Sequence, residues 1–153
     1  MDTPNKSIWK AEFHFTSIWV IKQPKQSYGK YLYSVLKEYE NLYKHSPIII
    51  LGDFNIDQKL TSSYQGTNGM IQISELLNQY KIHSCYHEFY KEDFGKESKS
   101  TYFHQRKIEM PFHIDYCFLS NSMIDQNTTF NIGDEKEWLE YSDHLPLIVE
   151  IKS

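Results

Sequence analysis

Three segments of different period follow one another between Phe13 and Leu51, and their order constrains the fold more than any other feature of the chain. "FHFTSIWVI", residues 13–21, alternates and is rich in aromatic and β-branched side chains, so it reads as a strand. Tyr28, Tyr31, Leu32, Val35, Leu36, Tyr39, Leu42 and Tyr43 then recur at three- and four-residue spacing. That is an amphipathic helix, with Lys30, Lys37, Glu38 and Lys44 among its polar positions. Pro47 disfavours helix in the residue before it and ends the element near His45. Ile48 to Leu51 are aliphatic on both faces, which predicts a short strand buried in a sheet. Strand, helix and strand in this order imply a right-handed crossover and an α/β or α+β domain.

The remainder is cut into shorter pieces. "SSYQGTNG" is a loop whose Asn68 is expected to cap a second helix marked by Ile71, Leu76, Leu77 and Tyr80. "IHSCYHEF" reads as extended, "KEDFGKESKS" as a surface loop, "TYFH" and "FHIDYCFLS" as candidate strands, and "TTFNIG" as a further short piece. "LPLIVEIKS" places Leu145, Leu147, Val149 and Ile151 on one face of a final strand. With 153 residues, 40% hydrophobic and 16% aromatic, the chain suits one domain over 1–153 with a packed core. A net charge of −4 argues against coating nucleic acid by charge alone, though not against a nucleic-acid enzyme that uses bound divalent cations. Cys85 and Cys117 form no CxxC pair and are expected to be reduced core thiols. Neither a signal peptide nor a membrane span is indicated, so the expectation is a soluble cytoplasmic chain.

Polar residues fall at the ends of three of these strands. Ile48 to Leu51 runs into "GDFN", the segment Phe112 to Phe118 carries Asp115, and Leu145 to Ile151 is preceded by "YSDH". Gly-Asp after a strand is usually an ordinary turn, and Ser142-Asp143 can merely cap one. A carboxylate inside an apolar strand needs a partner, and an imidazole is the natural one. Asp115 with His144 would form a dyad in which the carboxylate fixes the imidazole tautomer. Asp53 and Asn55 are read as lying on one side of an extended segment. A carboxylate can orient a water there, and a carboxamide can donate to an anionic phosphoryl oxygen. Asp143, with a further carboxylate, would hold Mg²⁺ or Mn²⁺ through oxygen. Together these groups suit hydrolysis of a phosphate ester.

In this order, "GDFN", "HIDYCF" and "SDHLPLIVEI" resemble the second half of the endonuclease/exonuclease/phosphatase superfamily. The resemblance implies a deoxyribonuclease I-like fold, two packed mixed sheets flanked by helices, here an incomplete C-terminal half. It implies that Asp53 orients the nucleophilic water, Asn55 binds the scissile phosphate and Asp115 orients His144. His144 would contact the phosphate, Asp143 would join the metal network, and Thr101 in "STYFH" would help to shape the pocket. Intact members also carry an upstream asparagine strand and a Gln-Glu strand whose glutamate ligates the metal. Nothing before Asp53 matches these, Glu12 lies in an unlike context, and a position often held by His falls at Val20, Ile21 or Lys22.

The reading is therefore a truncated divalent-metal phosphoesterase, weak or inactive alone, with nucleic acid among its candidate substrates. Its expected partner is the missing N-terminal half, or a second copy meeting an exposed sheet. The competing class is a catalytically dead remnant or association module. Other features read blandly: His83 and His87 lack a second zinc cluster, "HQRK" is a solvated loop before it is a phosphate contact, and the helical tyrosines pack the core.

Overall fold

A computed structural model describes residues 27–61 and 69–151. Helix α1, Tyr28–Glu38, starts where the Ser27 hydroxyl accepts the Lys30 N–H at 3.3 Å. Its Leu32 and Leu36 are buried against Ile73, Leu76 and Leu77, which are carried by α4, Met70–Asn78. The helical run expected through Tyr43 breaks at Tyr39, after which α2 covers Glu40–Tyr43. Of its tyrosines, Tyr43 is buried while Tyr28 and Tyr39 remain exposed, so core packing accounts for only part of the periodicity.

Strand β1, Ile49–Asp53, is followed by the short α3, Gln58–Thr61, and β2 covers Ile82–Ser84. Then come α5, Cys85–Tyr90, and the two-residue strands β3, Tyr102–Phe103, and β4, Pro111–Phe112. β5, Asp115–Ser120, is the central strand of a three-stranded sheet ordered β1-β5-β2. β6, Thr129–Ile132, α6, Glu135–Trp138, and β7, Leu147–Glu150, complete the chain. β3 pairs with β4 and β6 with β7. The described residues thus form three small sheets and six α-helices, a mixed arrangement in which every strand pair is antiparallel.

β5 organises the interior by alternation. Tyr116 and Phe118 join the cluster beneath α1 and α4. Cys117 and Leu119 face the other way, into a cluster with Cys85, Tyr86 and Phe130 that Leu147 and Val149 border. Helices therefore cover one face of the sheet and the β6-β7 ribbon borders the other. Both cysteines are buried and unbridged, as their spacing implied.

Several expectations change. β1 is not enclosed: Leu51 is 67% exposed and Ile49 37%, because nothing among the described residues covers that face. The expected strand through "IHSCYHEF" turns helical at Cys85, since burying Cys85 and Tyr86 beside Cys117 and Phe130 outweighs local β preference. Asp115 opens its strand rather than sitting mid-strand, because Phe112 pairs with Tyr102 instead. Gly69, not Asn68, precedes α4, and its N–H bonds Gln72 Oε1 at 2.7 Å; Asn68 lies outside the described residues. The 91–100 stretch is a surface loop as expected, with Glu97 alone buried within it and its carboxylate accepting the Gly95 N–H at 2.9 Å. Glu12, the strand expected over residues 13–21, and Val20 to Lys22 lie outside the described residues. No described helix is long and apolar enough to cross a membrane.

Candidate active site

β1 and β5 meet so that Asp53 lies directly opposite Asp115. Ladder hydrogen bonds flank this pair at Phe54 N to Ile114 O, 2.9 Å, and continue to Ser120 N to Ile48 O, 3.0 Å. The even-numbered residues of β1 are therefore the bonded ones, and Asp53–Asp115 is a close, non-bonded pair. Such facing side chains have Cβ atoms about 4.5–5.5 Å apart. Two carboxylates are thus held on one face of the sheet, at its edge with solvent.

The turn after β1 fixes the first. Gly52 has φ +146, a conformation that side chains oppose, which explains the glycine of "GDFN" without any steric demand around it. Asn55 N donates to Asp53 Oδ1 at 2.8 Å, and Asn55 Nδ2 donates to Oδ2 at 2.9 Å. Asp53 and Asn55 do come together, but not along an extended segment: Asn55 has φ +52, and the turn curls its amide back onto the carboxylate.

The second carboxylate is gripped from two sides. His144 Nδ1 lies 3.1 and 3.0 Å from the two Asp115 oxygens. An ionised carboxylate only accepts, so Nδ1 carries the proton and Nε2 is left as the open nitrogen of a neutral ring. The fully buried Thr101 accepts the Ile114 and Asp115 N–H groups at 3.1 and 3.0 Å. Burial pushes the Asp115 carboxyl above its ordinary range; hydrogen bonds from Thr101 and His144 oppose that rise, and the facing Asp53 adds to it. Thr101 also bonds Leu145 N through its carbonyl at 2.7 Å, so one residue anchors the backbone at both members of the dyad.

Two residues beyond the expected set belong to this cluster. Tyr102 bridges to His144 along the backbone, and their rings lie 4.6 Å apart between centroids. Its hydroxyl bonds His104 Nδ1 at 2.8 Å. "STYFH" offered Thr101 as a signal; the tyrosine beside it carried none of its own. Arg106, weighed as a phosphate contact, instead braces the loop before Asp143 by donating to the carbonyls of Glu140 and Tyr141 at 3.0 and 3.4 Å.

Asp143 reaches the site by chain adjacency to His144, with its carbonyl accepting Phe103 N–H at 2.8 Å. Among the described residues no three His, Cys, Asp or Glu side chains gather closely enough to hold a metal ion. His83 and His87 do not form a metal pair either: His87 bonds Ser84 Oγ at 2.8 Å and Glu97 at 3.3 Å, while His83 faces Glu88.

The carboxylates stand between two concavities. A groove of about 400 Å³ runs from Asp53 and Asp115 over Leu51, Cys117, Leu147 and Val149. On the Asn55 side a cleft of about 380 Å³ is walled by Tyr102, His104, Met110 and Phe112. No protein-family model matches the chain. No curated protein matches it.

Proposed function

We propose that this chain carries the phosphate-handling part of a phosphoesterase site, on a fold that corresponds to the C-terminal half of a deoxyribonuclease I-like sandwich. The observation that carries the reading is the two-oxygen contact of Asp115 with His144 Nδ1, directly across the strand pair from Asp53. "GDFN", "HIDYCF" and "SDH" supply these residues in the chain order of the resembling superfamily.

The chemistry follows from donor and acceptor roles. Asp53 accepts two bonds from Asn55 and retains lone pairs with which to orient a water for attack. The second N–H of the Asn55 amide is available to a phosphoryl oxygen. His144, protonated at Nε2, would donate to the phosphate as negative charge builds, and Asp115 would stabilise the imidazolium. Oriented donors of this kind are each worth about 10²–10⁴ in rate. In an intact domain a divalent cation would add charge neutralisation, with a ligand from the N-terminal half that the resemblance implies and this sequence does not match; this predicts poor metal binding by the 153-residue chain.

Titration of the isotopically labelled chain with inorganic phosphate tests the site. The expected result is saturable shifts at the His144 ring and the Asn55 side-chain amide, lost in His144→Ala. Shifts absent from both groups at tens of millimolar phosphate would remove the assignment. Calorimetry with Mn²⁺ tests truncation separately: micromolar binding together with phosphodiester turnover would overturn it.

A further inference from the structure

The odd-numbered residues of β5 bond towards β2: Asn121 N donates to Lys81 O at 2.7 Å, and Leu119 lies opposite His83. One step beyond the paired Ser84 and Phe118, the same register brings Cys85 opposite Cys117. Ser84 is still extended, with φ −70 and ψ 123, so the Cα atom of Cys85 follows the course of β2 although α5 begins there. Bonded antiparallel partners have Cα atoms about 5.5 Å apart, inside the range of about 4.4–6.8 Å that a disulfide spans. Both side chains lie on one face of the sheet, in the cluster with Tyr86, Leu119 and Phe130.

We propose that Cys85 and Cys117 form a reversible dithiol–disulfide site, oxidised from the groove side by a small uncharged disulfide. Access sets the order of events. Cys117 is 3% exposed and lines the groove with Leu51, Leu147 and Val149, whereas Cys85 is fully buried. The apolar lining, with Asp53 and Asp115 at the groove's end, favours a neutral reagent over an anionic one. The Cys85 thiol donates to the Cys117 sulfur, which pushes Cys85 up and holds Cys117 below its ordinary range. Cys117 is therefore the attacking group, since the thiolate is the reactive form.

Cys117 Sγ attacks one sulfur of the reagent, forming a mixed disulfide and releasing one thiolate. That thiolate takes the Cys85 proton. Cys85 Sγ then attacks Cys117 Sγ and expels the second thiolate, which takes up the proton that Cys117 gave to solvent. One S–S bond replaces another, and two electrons pass from the cysteine pair to the reagent, which leaves as two thiols. The new bond closes a loop that contains Thr101 and Tyr102, and it anchors β5 two residues from Asp115. An excess of thiol reverses each step. The pair acts in this way whatever the neighbouring site acts on.

Equilibration of the full chain with hydroxyethyl disulfide and its thiol, at a series of ratios, tests the site. After acid quenching and alkylation, mass spectrometry of the folded chain should show the loss of two hydrogens within one molecule. Proteolysis should yield a peptide joining Cys85 to Cys117. The equilibrium constant for closure should be larger in buffer than in concentrated urea by about tenfold or more, because the fold holds the two thiols together. The oxidised chain should accordingly unfold at a higher urea concentration than the reduced one. Cys85→Ala should stop at the mixed disulfide on Cys117. A closure constant no larger in buffer than in urea would overturn the proposal. So would a mixed disulfide on Cys117 that never resolves, or bonds formed only between molecules. Those three readings come from the unaltered chain and need no variant to fold.

Discussion

Both oxygens of Asp115 lie within about 0.1 Å of equal distance from His144 Nδ1, at 3.1 and 3.0 Å, although the two residues belong to segments 29 positions apart. That symmetry fixes the ring in one tautomer. In long-range proton–nitrogen spectra of neutral His144, the proton should reside on Nδ1, and Asp115→Ala should shift the population toward the Nε2 form. A hydrogen bond to a charged partner is worth about 1.5–3 kcal/mol, enough to bias the tautomer at least tenfold. An unchanged tautomer ratio in the variant would show that Asp115 does not orient the ring.

Thr101 supplies the next test. Replacing its buried hydroxyl with a methyl in Thr101→Val strands the Ile114 and Asp115 N–H groups. Each unsatisfied donor costs about 1–3 kcal/mol, so urea denaturation should show a loss of about 2 kcal/mol or more. Thr101→Ser keeps the acceptor and should recover most of it.

What the sequence made legible was periodicity and order. The final strand's Leu145, Leu147, Val149 and Ile151 do line a single groove, and "GDFN" and "SDH" do converge with "HIDY". Less was visible where one residue's role depends on a distant neighbour. Nothing local announces that Cys85 opens a helix, because its burial against Cys117 is settled 32 positions away. Likewise, the aliphatic run at Ile48–Leu51 reads as buried on both faces, yet Leu51 is 67% exposed among the described residues, because burial depends on what packs beside a strand and not on its own side chains. Tyr102 joins the dyad only because β3 is pinned by its pairing with β4 and by the bridge to His144.

Acid should weaken the fold in two separate windows. His113 is 2% exposed, and its Nε2 has no partner among the described groups; burial holds the imidazole below its ordinary 6.5. The neutral ring is the native form, so its contribution is intact above pH 6.5 and is lost as pH falls below that value toward the folded one. Urea midpoints should therefore decline as pH falls through the range just below 6.5, and His113→Gln should flatten that decline.

Glu92 acts lower. The Ser98 hydroxyl, then the Tyr86 hydroxyl at 2.6 Å, hold its carboxyl at about 2, down from 4.5. Its contribution is present above pH 4.5 and disappears as pH falls from there through about 2. Glu92→Gln should remove this acid-side slope and lower the neutral-pH midpoint by the same modest amount, which solvent screening of this half-exposed group keeps small.

Asn55 answers two masters. Its backbone sits at φ +52, a region that asparagine, aspartate and histidine enter more readily than other side-chain-bearing residues, while its amide braces Asp53. Glycine would satisfy the backbone and forfeit the amide; glutamine would keep an amide and oppose the backbone. The position accordingly admits almost no conservative replacement.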